Sequence, residues 1–199
     1  MPTREWRRGH LRPWFTTVLV ACVLIGLLIE LPSIQGQHAK PTEYEVKATY
    51  LYNFSRFVEW PAQALQAQSD SFTICVLGDN PFGPALKATV AQETIAGQSV
   101  VAKQVPAPQD AMSCRVLFIS SSEDKRLKEI LTSLGTASVL TVSDLPNFAQ
   151  RGGMVQFILE GNKVRFEVNS ATAERAGLTL SSELLKVAVN VRRSVQLGD

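Results

Sequence analysis

Residues 72–77 read Phe-Thr-Ile-Cys-Val-Leu, and Gly78-Asp79-Asn80-Pro81 follows them directly. A short, nearly continuous apolar run of this kind predicts a strand that is buried on both faces of a sheet. The four residues after it favour a tight turn, and a helix is predicted from Phe82 to about Gln92. A buried strand, a turn and a helix in this order are typical of an α/β fold.

The same alternation continues on both sides of this stretch. Further strands are predicted at Ser99–Val105, Val116–Ile119 and Val139–Val142. Helices are predicted at Glu43–Trp60, ended by Pro61, and at Glu123–Leu134, capped by Ser121 or Ser122. Because strands alternate with helices, we expect a single α/β domain with a mostly parallel open sheet flanked by helices.

The pattern changes after the turn at Gly152-Gly153. Met154–Leu159 and Lys163–Val168 are predicted strands joined by Glu160-Gly161-Asn162, which indicates an antiparallel hairpin at one edge of the sheet. A short helix is predicted around Phe148, after an N-cap at Ser143-Asp144. Helical segments at Ala171–Ala176 and Ser181–Arg192 complete the chain of 199 residues.

The first 39 residues have the pattern of an export signal. Met1–Pro13 is rich in arginine, and Trp14–Ile29 is an uncharged, mostly apolar run. This pattern predicts a signal peptide over residues 1–39, cleaved near 36–39, and an exported domain over residues 40–199. An uncleaved anchor is the alternative, although the run is slightly short for a bilayer, which takes about 20 residues.

The charge of the chain argues against nucleic-acid binding. The formal net charge of +2 is the sum over the whole chain, and the basic excess comes from arginines in the first 39 residues. The remaining domain is neutral and has no basic stripe, whereas phosphate contacts dominate nucleic-acid affinity. We therefore expect no nucleic-acid partner.

Two cysteines, Cys75 and Cys114, remain in the predicted domain. An even number of cysteines in an oxidising compartment permits a disulfide. Two buried free thiols on neighbouring strands are the alternative.

Residues that support catalysis are scarce. Both histidines, His10 and His38, lie in the predicted leader or its linker, which excludes histidine-based triads and zinc sites. Neither a dinucleotide fingerprint nor a P-loop is present, so we expect no enzyme, no cofactor and no metal. A hydrolase that uses paired carboxylates, or Ser122 with Lys125 in an SxxK motif, is the weaker alternative.

Several small or polar residues follow the predicted strands, where ligands of open α/β sheets bind. These candidate pocket residues are Gly78, Asp79, Phe82, Gly83, Ser120, Ser143 and Asp144. They would serve a small-molecule receptor, which is the alternative to a protein-binding function. A tight turn plugged by Phe82 is the structural interpretation of the same residues.

The first predicted helix is rich in aromatic residues. Most of them fall on an apolar stripe with Leu51 and Phe54, whereas Tyr52 and Trp60 lie off its centre. Partly exposed tyrosine and tryptophan are effective anchors for protein partners. The candidate partner-binding residues are Tyr52, Asn53, Arg56 and Trp60.

Motifs along nearly the whole predicted domain resemble the YfiR family, also known as the DUF4154 domain. The matching segments, in order, are Glu45–Pro61, Ile74–Gly83, Val116–Ser120, Leu140–Asp144, Gly152–Phe157, Arg165–Asn169 and Ala176–Leu185. The resemblance implies a periplasmic, often homodimeric α/β protein without known catalysis, and it makes Cys75 and Cys114 similar to one disulfide pair of that family. A second cysteine pair, expected between Thr141 and Gly153, is absent, which puts redox control through it in doubt.

The resemblance also implies partners. The family's name member represses an inner-membrane diguanylate cyclase, which makes cyclic di-GMP, and an OmpA-like lipoprotein relieves the repression. We therefore expect this chain to control a membrane signalling enzyme with a periplasmic sensor region, either a diguanylate cyclase or a sensor kinase.

Overall fold

The computed structural model describes residues 40–62, 64 and 71–193; the predicted leader and its cleavage site lie outside them. The helices of these residues are α1 (Glu43–Arg56), α2 (Ala85–Val90), α3 (Leu127–Leu134), α4 (Ser170–Arg175) and α5 (Ser182–Val187). Within the described part of the chain, none of the helices has the length and apolar character needed to span a membrane.

The strands form a large sheet and a small one. They are β1 (Val58–Glu59), β2 (Ser71–Leu77), β3 (Thr94–Ile95), β4 (Gln98–Val105), β5 (Val116–Ile119), β6 (Leu140–Ser143), β7 (Val155–Glu160), β8 (Lys163–Asn169), β9 (Thr179–Leu180) and β10 (Asn190–Arg192). Two 3₁₀ segments, Pro108–Ser113 and Ser121–Arg126, precede β5 and α3.

The large sheet of the described residues has the order β10-β8-β7-β6-β5-β2-β4-β3. The five strands from β4 to β7 in this order are parallel to one another. The pair β3 and β4 is antiparallel, and β7 and β8 form the antiparallel hairpin. The predicted mostly parallel α/β sheet and its hairpin are therefore confirmed. Strand β10 pairs with β8 and adds one short strand beyond the hairpin.

Both faces of the sheet are apolar because successive side chains of a strand point to opposite sides. Ile74 and Val76 of β2 join the cluster under α1 and α2. Cys75 and Leu77 join the cluster under α3. This double burial explains why the sequence of β2 is a continuous apolar run rather than an alternating one.

The predicted helix Glu43–Trp60 is shorter than expected. It ends at Arg56, and Val58 and Glu59 pair with Leu180 and Thr179 in the small antiparallel sheet. The amide of Ser181 also donates to the carbonyl of Phe57 at 2.9 Å. The last residues of the predicted helix thus form a strand because they pair with a segment distant in sequence. Local periodicity does not reveal this pairing.

The predicted C-terminal helix Ser181–Arg192 is also wrong in its second half. Helix α5 ends at Val187, and Ala188 is extended, with φ −68° and ψ 138°. The amide of Val189 then donates to the carbonyl of Phe166 at 3.0 Å, and β10 continues along β8. Pairing with β8 outweighs the weak local helix preference of this valine-rich segment.

Three other predicted helices also differ from the structure. The segment from Glu123 begins as a 3₁₀ turn and becomes α-helical at Leu127, without a side-chain cap from Ser121 or Ser122. Around Phe148 the chain forms turns rather than a helix. Helix α2 begins at Ala85 instead of Phe82 because Gly83 has a φ of 54°, which a right-handed α-helix cannot contain.

Candidate functional site

Helix α1 presents one face to the core and the other to solvent. Its N-terminus carries a capping box, in which the Thr42 hydroxyl accepts the Glu45 amide and the Glu45 carboxylate accepts the Thr42 amide. Phe54 is buried and lies 5.7 Å from the ring of Phe157 and 5.0 Å from that of Phe166. This packing fixes the rotation of α1, so its opposite face is available for contacts.

The exposed face of α1 forms a groove with α2. The groove has a volume of about 550 Å³. Its α2 wall is made of the small side chains Ala85, Ala88 and Thr89, and Val46 and Tyr50 contribute apolar surface from α1. The remaining lining is Pro41, Glu45, Thr49 and Asn53. The result is an open, largely apolar surface with a polar border, a composition common at protein interfaces.

The four candidate partner-binding residues lie in different environments. Asn53 lines the groove, and Arg56 is exposed one turn further along α1. The hydroxyl of Tyr52 donates to Glu93 Oε2 at 2.6 Å, which joins α1 to the segment before β3, and this hydrogen bond raises the pKa of Tyr52. Trp60 is 8% exposed, and its ring meets that of Phe72 edge-on at 5.2 Å.

A polar cluster lies at the end of β6, next to the start of α1. Lys47 is 2% exposed, and its Nζ donates to Asp144 Oδ2 at 2.6 Å and contacts Glu43 Oε1 at 2.5 Å. The Tyr44 hydroxyl donates to the same Asp144 oxygen at 2.9 Å. Burial and the charge of Asp144 raise the pKa of Tyr44. Asp144 is one of the candidate pocket residues, whereas Lys47 was not predicted; its only signal in the sequence is its place in the segment Glu45–Pro61.

Phe82 fills the space beside this cluster. Its ring is 3% exposed and meets the ring of Tyr44 at 5.5 Å and that of Phe118 at 4.8 Å, both edge-on. The strand ends on the α1 side are therefore occupied by the protein's own side chains.

The other candidate pocket residues do not converge on one cavity. Gly78 lines a hollow of about 340 Å³ with Gln104 and Glu123, and Gly83 lines a separate hollow of about 70 Å³. Asp79 is exposed, whereas Ser120 and Ser143 are buried. The Ser143 hydroxyl donates to the Ile119 carbonyl at 2.7 Å and accepts the Leu145 amide at 3.1 Å, so it supports the backbone after β6.

Ser122 has a structural contact as well. Its hydroxyl accepts the backbone amide of Asp79 at 2.9 Å, which holds the turn after β2 against the 3₁₀ segment before α3. Histidine is absent from residues 39–199. Over the described ranges, no cluster of histidine, cysteine, aspartate or glutamate is arranged to hold a metal ion.

Cys75 and Cys114 form a disulfide, with their Cα atoms 6.0 Å apart. The predicted bridge is therefore confirmed, and the alternative of two free thiols does not apply. Both residues are completely buried in the cluster under α3. The bridge joins the middle of β2 to Cys114, which lies between the 3₁₀ segment Pro108–Ser113 and β5.

Two solved structures share the fold at low sequence identity. A conserved domain protein from Vibrio cholerae O1 biovar El Tor strain N16961 is 12% identical, with a TM-score of 0.52 over 76% of this chain and 60% of that chain. The ABC domain from Streptococcus pneumonia, in complex with L-Trp, is also 12% identical, with a TM-score of 0.51 over 72% of this chain and 60% of that chain. The chain thus spans about 60% of the length of each.

The family comparison covers most of the domain. The family model DUF4154, described as YfiR/HmsC-like, matches residues 44–189, from the first turn of α1 to the residue before β10. The chain therefore belongs to the YfiR/HmsC-like family.

Proposed function

We propose that this chain is a periplasmic regulatory protein that controls an inner-membrane signalling enzyme by binding its periplasmic sensor region. The enzyme is a diguanylate cyclase or a sensor kinase. Membership of the YfiR/HmsC-like family supports this function. An OmpA-like lipoprotein and a second copy of this chain remain predicted partners.

The observation that carries the proposal is the open groove between α1 and α2. Its apolar floor, at Val46 and Tyr50, is large enough for side chains of a partner. Its small α2 side chains allow the backbone of a partner helix to approach closely, as in helix-in-groove recognition. Asn53, one of the candidate partner-binding residues, lies on its border.

The strand ends favour a protein partner over a small molecule. Open α/β sheets bind ligands in a crevice at the carboxyl ends of their strands. Here Phe82, Tyr44 and the Lys47–Asp144 pair fill that position on the α1 side. Ser122, the candidate nucleophile of the hydrolase alternative, is engaged with the Asp79 amide.

The experiment compares two matched substitutions, Thr49→Arg and Thr132→Arg. Both threonines are exposed on helices, and each hydroxyl donates to the carbonyl four residues earlier. Thr49 lines the groove, whereas Thr132 lies on α3, over the other face of the sheet. The protein is crosslinked in intact cells and recovered with its membrane partners.

We expect wild type and Thr132→Arg to recover the same membrane signalling enzyme, and Thr49→Arg to recover at least fivefold less of it, since an arginine obstructs the centre of a buried interface. Recovery of the enzyme by both variants would reject the groove as the binding surface. Failure of the wild-type protein to recover any membrane protein would reject the function itself.

A further inference from the structure

The outer edge of β4 is open over its second half. On one side, β4 pairs with β2 from Ser99 to Val105. On the other side, its pairing with β3 covers only Gln98 and Ser99, and the described strands include none beyond β3 at this edge. An unpaired strand edge is a template for an additional strand.

The backbone of this edge presents regularly spaced hydrogen-bonding groups. The amide of Val100 donates outward, to the carbonyl of Glu93, at 2.9 Å. Backbone groups along a strand face its two neighbours alternately. The backbone amides and carbonyls of Ala102 and Gln104 therefore face the same outer edge. The backbone amide and carbonyl of Lys103 face β2.

Two hollows flank the edge, one on each face of the sheet. On the α2 side, a hollow of about 70 Å³ lies between Gly83, Lys87 and Ala102. On the opposite side, a hollow of about 340 Å³ lies between Pro106 and Glu123. Successive side chains of a strand point to alternate faces, so neighbouring residues of one added strand can reach one hollow each.

The charge at the smaller hollow indicates what kind of side chain fits it. Lys87 is exposed, and it has no ion pair with a carboxylate among residues that the structure describes. Among the described residues that line this hollow, none is an aspartate or a glutamate. A short acidic side chain beside Lys87 would match both its volume and its charge.

We propose that the outer edge of β4 binds an extended, acidic segment of a partner protein as an additional strand. A carboxylate of the segment faces Lys87, and the next residue places a large side chain beside Pro106. A second copy of β4 is a poorer occupant because it brings a second Lys103 to the same edge, and like charges on paired strands destabilise pairing. The outer edge of β4 uses Lys87 of α2, whereas the groove uses Ala85, Ala88 and Thr89. The proposal is therefore independent of the proposed function.

The test uses a synthetic peptide of alternating threonine and valine with a central Asp-Phe pair, added to the ¹⁵N-labelled exported protein. We expect the peptide to shift the amide resonances of Ala102 and Gln104 and to slow their hydrogen exchange. Replacing the peptide's aspartate by lysine should weaken binding about threefold, the effect of a partly exposed ion pair. The substitution Lys87→Glu should reverse this preference.

Two variants separate strand pairing from other binding. Ala102→Pro removes an outward amide without removing a hydrogen bond to β2, and should abolish binding, whereas Ala102→Ser keeps the amide and should bind normally. A peptide methylated on its backbone nitrogens should not bind, which tests pairing even if the proline variant does not fold. Unchanged resonances at Ala102 and Gln104, equal binding by the methylated peptide, or self-association of the protein through this edge would overturn the proposal.

Discussion

Lys47 shows how a single residue can join two distant parts of the chain. Its ammonium group is buried between Glu43, one turn earlier on α1, and Asp144, which is 97 residues away at the end of β6. It also lies 4.4 Å from the centre of the Tyr44 ring. A buried charge is tolerated only when it is paired and hydrogen-bonded, so these contacts depend on each other.

We expect Lys47→Met to lower the free energy of unfolding by about 3 kcal/mol, because it leaves the partly buried Asp144 without its counter-charge. The double substitution Lys47→Met with Asp144→Asn should recover roughly 1 kcal/mol of this loss, since no uncompensated carboxylate remains. Urea unfolding at neutral pH measures both values.

Lys128→Met is the control, because Lys128 is exposed on α3 and should change stability by less than about 0.5 kcal/mol. A double variant that is no more stable than Lys47→Met would show that the unpaired Asp144 carboxylate is not what destabilises Lys47→Met.

For single residues, the sequence predicted which of them lie at the strand ends better than it predicted which side chains they contact. Asp144 could be selected because it follows a predicted strand, and Ser143 for the same reason. The contacts of Asp144 with Lys47 and Tyr44 depend on how α1 crosses the sheet. Local sequence patterns do not encode this crossing. Likewise, the turn at Gly152-Gly153 was predictable, but the requirement for glycine at 153 comes from the ring of Phe148, 2.1 Å from the position that a Cβ would take.

Helix α1 depends on the cap at Thr42, the residue directly before the helix. The backbone amide of Thr42 donates to Glu45 Oε2 at 2.6 Å, and the Thr42 hydroxyl donates to the same oxygen at 3.0 Å. Both hydrogen bonds lower the pKa of Glu45, the one from the Thr42 backbone more than the one from its side chain. A carboxyl group with a lowered pKa stabilises the folded state above its ordinary pKa, and this stabilisation is lost as the pH falls through the folded-state pKa.

We therefore expect Thr42→Ala to lower the free energy of unfolding by about 1 kcal/mol at neutral pH. Glu45→Gln should also be less stable than wild type at neutral pH, and the difference should shrink as the pH falls below 4.5, the ordinary pKa of this group. Thermal unfolding across this pH range measures both effects. A difference that grows at low pH would contradict this account of the cap.

The elements themselves differ in how well local patterns predict them. Strands β2 and β5 are nearly continuous apolar runs because they are buried on both faces, so their positions were evident. The end of α1 and the whole of β10 were not evident, because both depend on pairing with residues distant in sequence. Val58, just after α1, pairs with Leu180, and Val191 of β10 pairs with Val168. The groove between α1 and α2 was missed for a similar reason, since it requires the two helices to be placed side by side.

The disulfide acts on the whole molecule. It closes a loop between residues 39 positions apart, and constraining a loop of this size in the unfolded chain contributes about 4 kcal/mol by the chain-entropy estimate. We expect the double substitution Cys75→Ala with Cys114→Ala to lower stability by up to this amount, measured by urea unfolding without reductant.

Adding a reductant should destabilise wild type and leave the double variant unchanged. Equal stability of the oxidised wild type and the double variant would show that the bridge is energetically neutral.

The ladder between β1 and β9 has a consequence for how the chain is made. Val58 leaves the ribosome long before Leu180, its partner in that ladder. The segment after α1 therefore cannot pair in this ladder until the chain has been synthesised at least as far as Leu180, which delays completion of the fold. The β1–β9 ladder is thus among the last parts of the described fold that can form during synthesis.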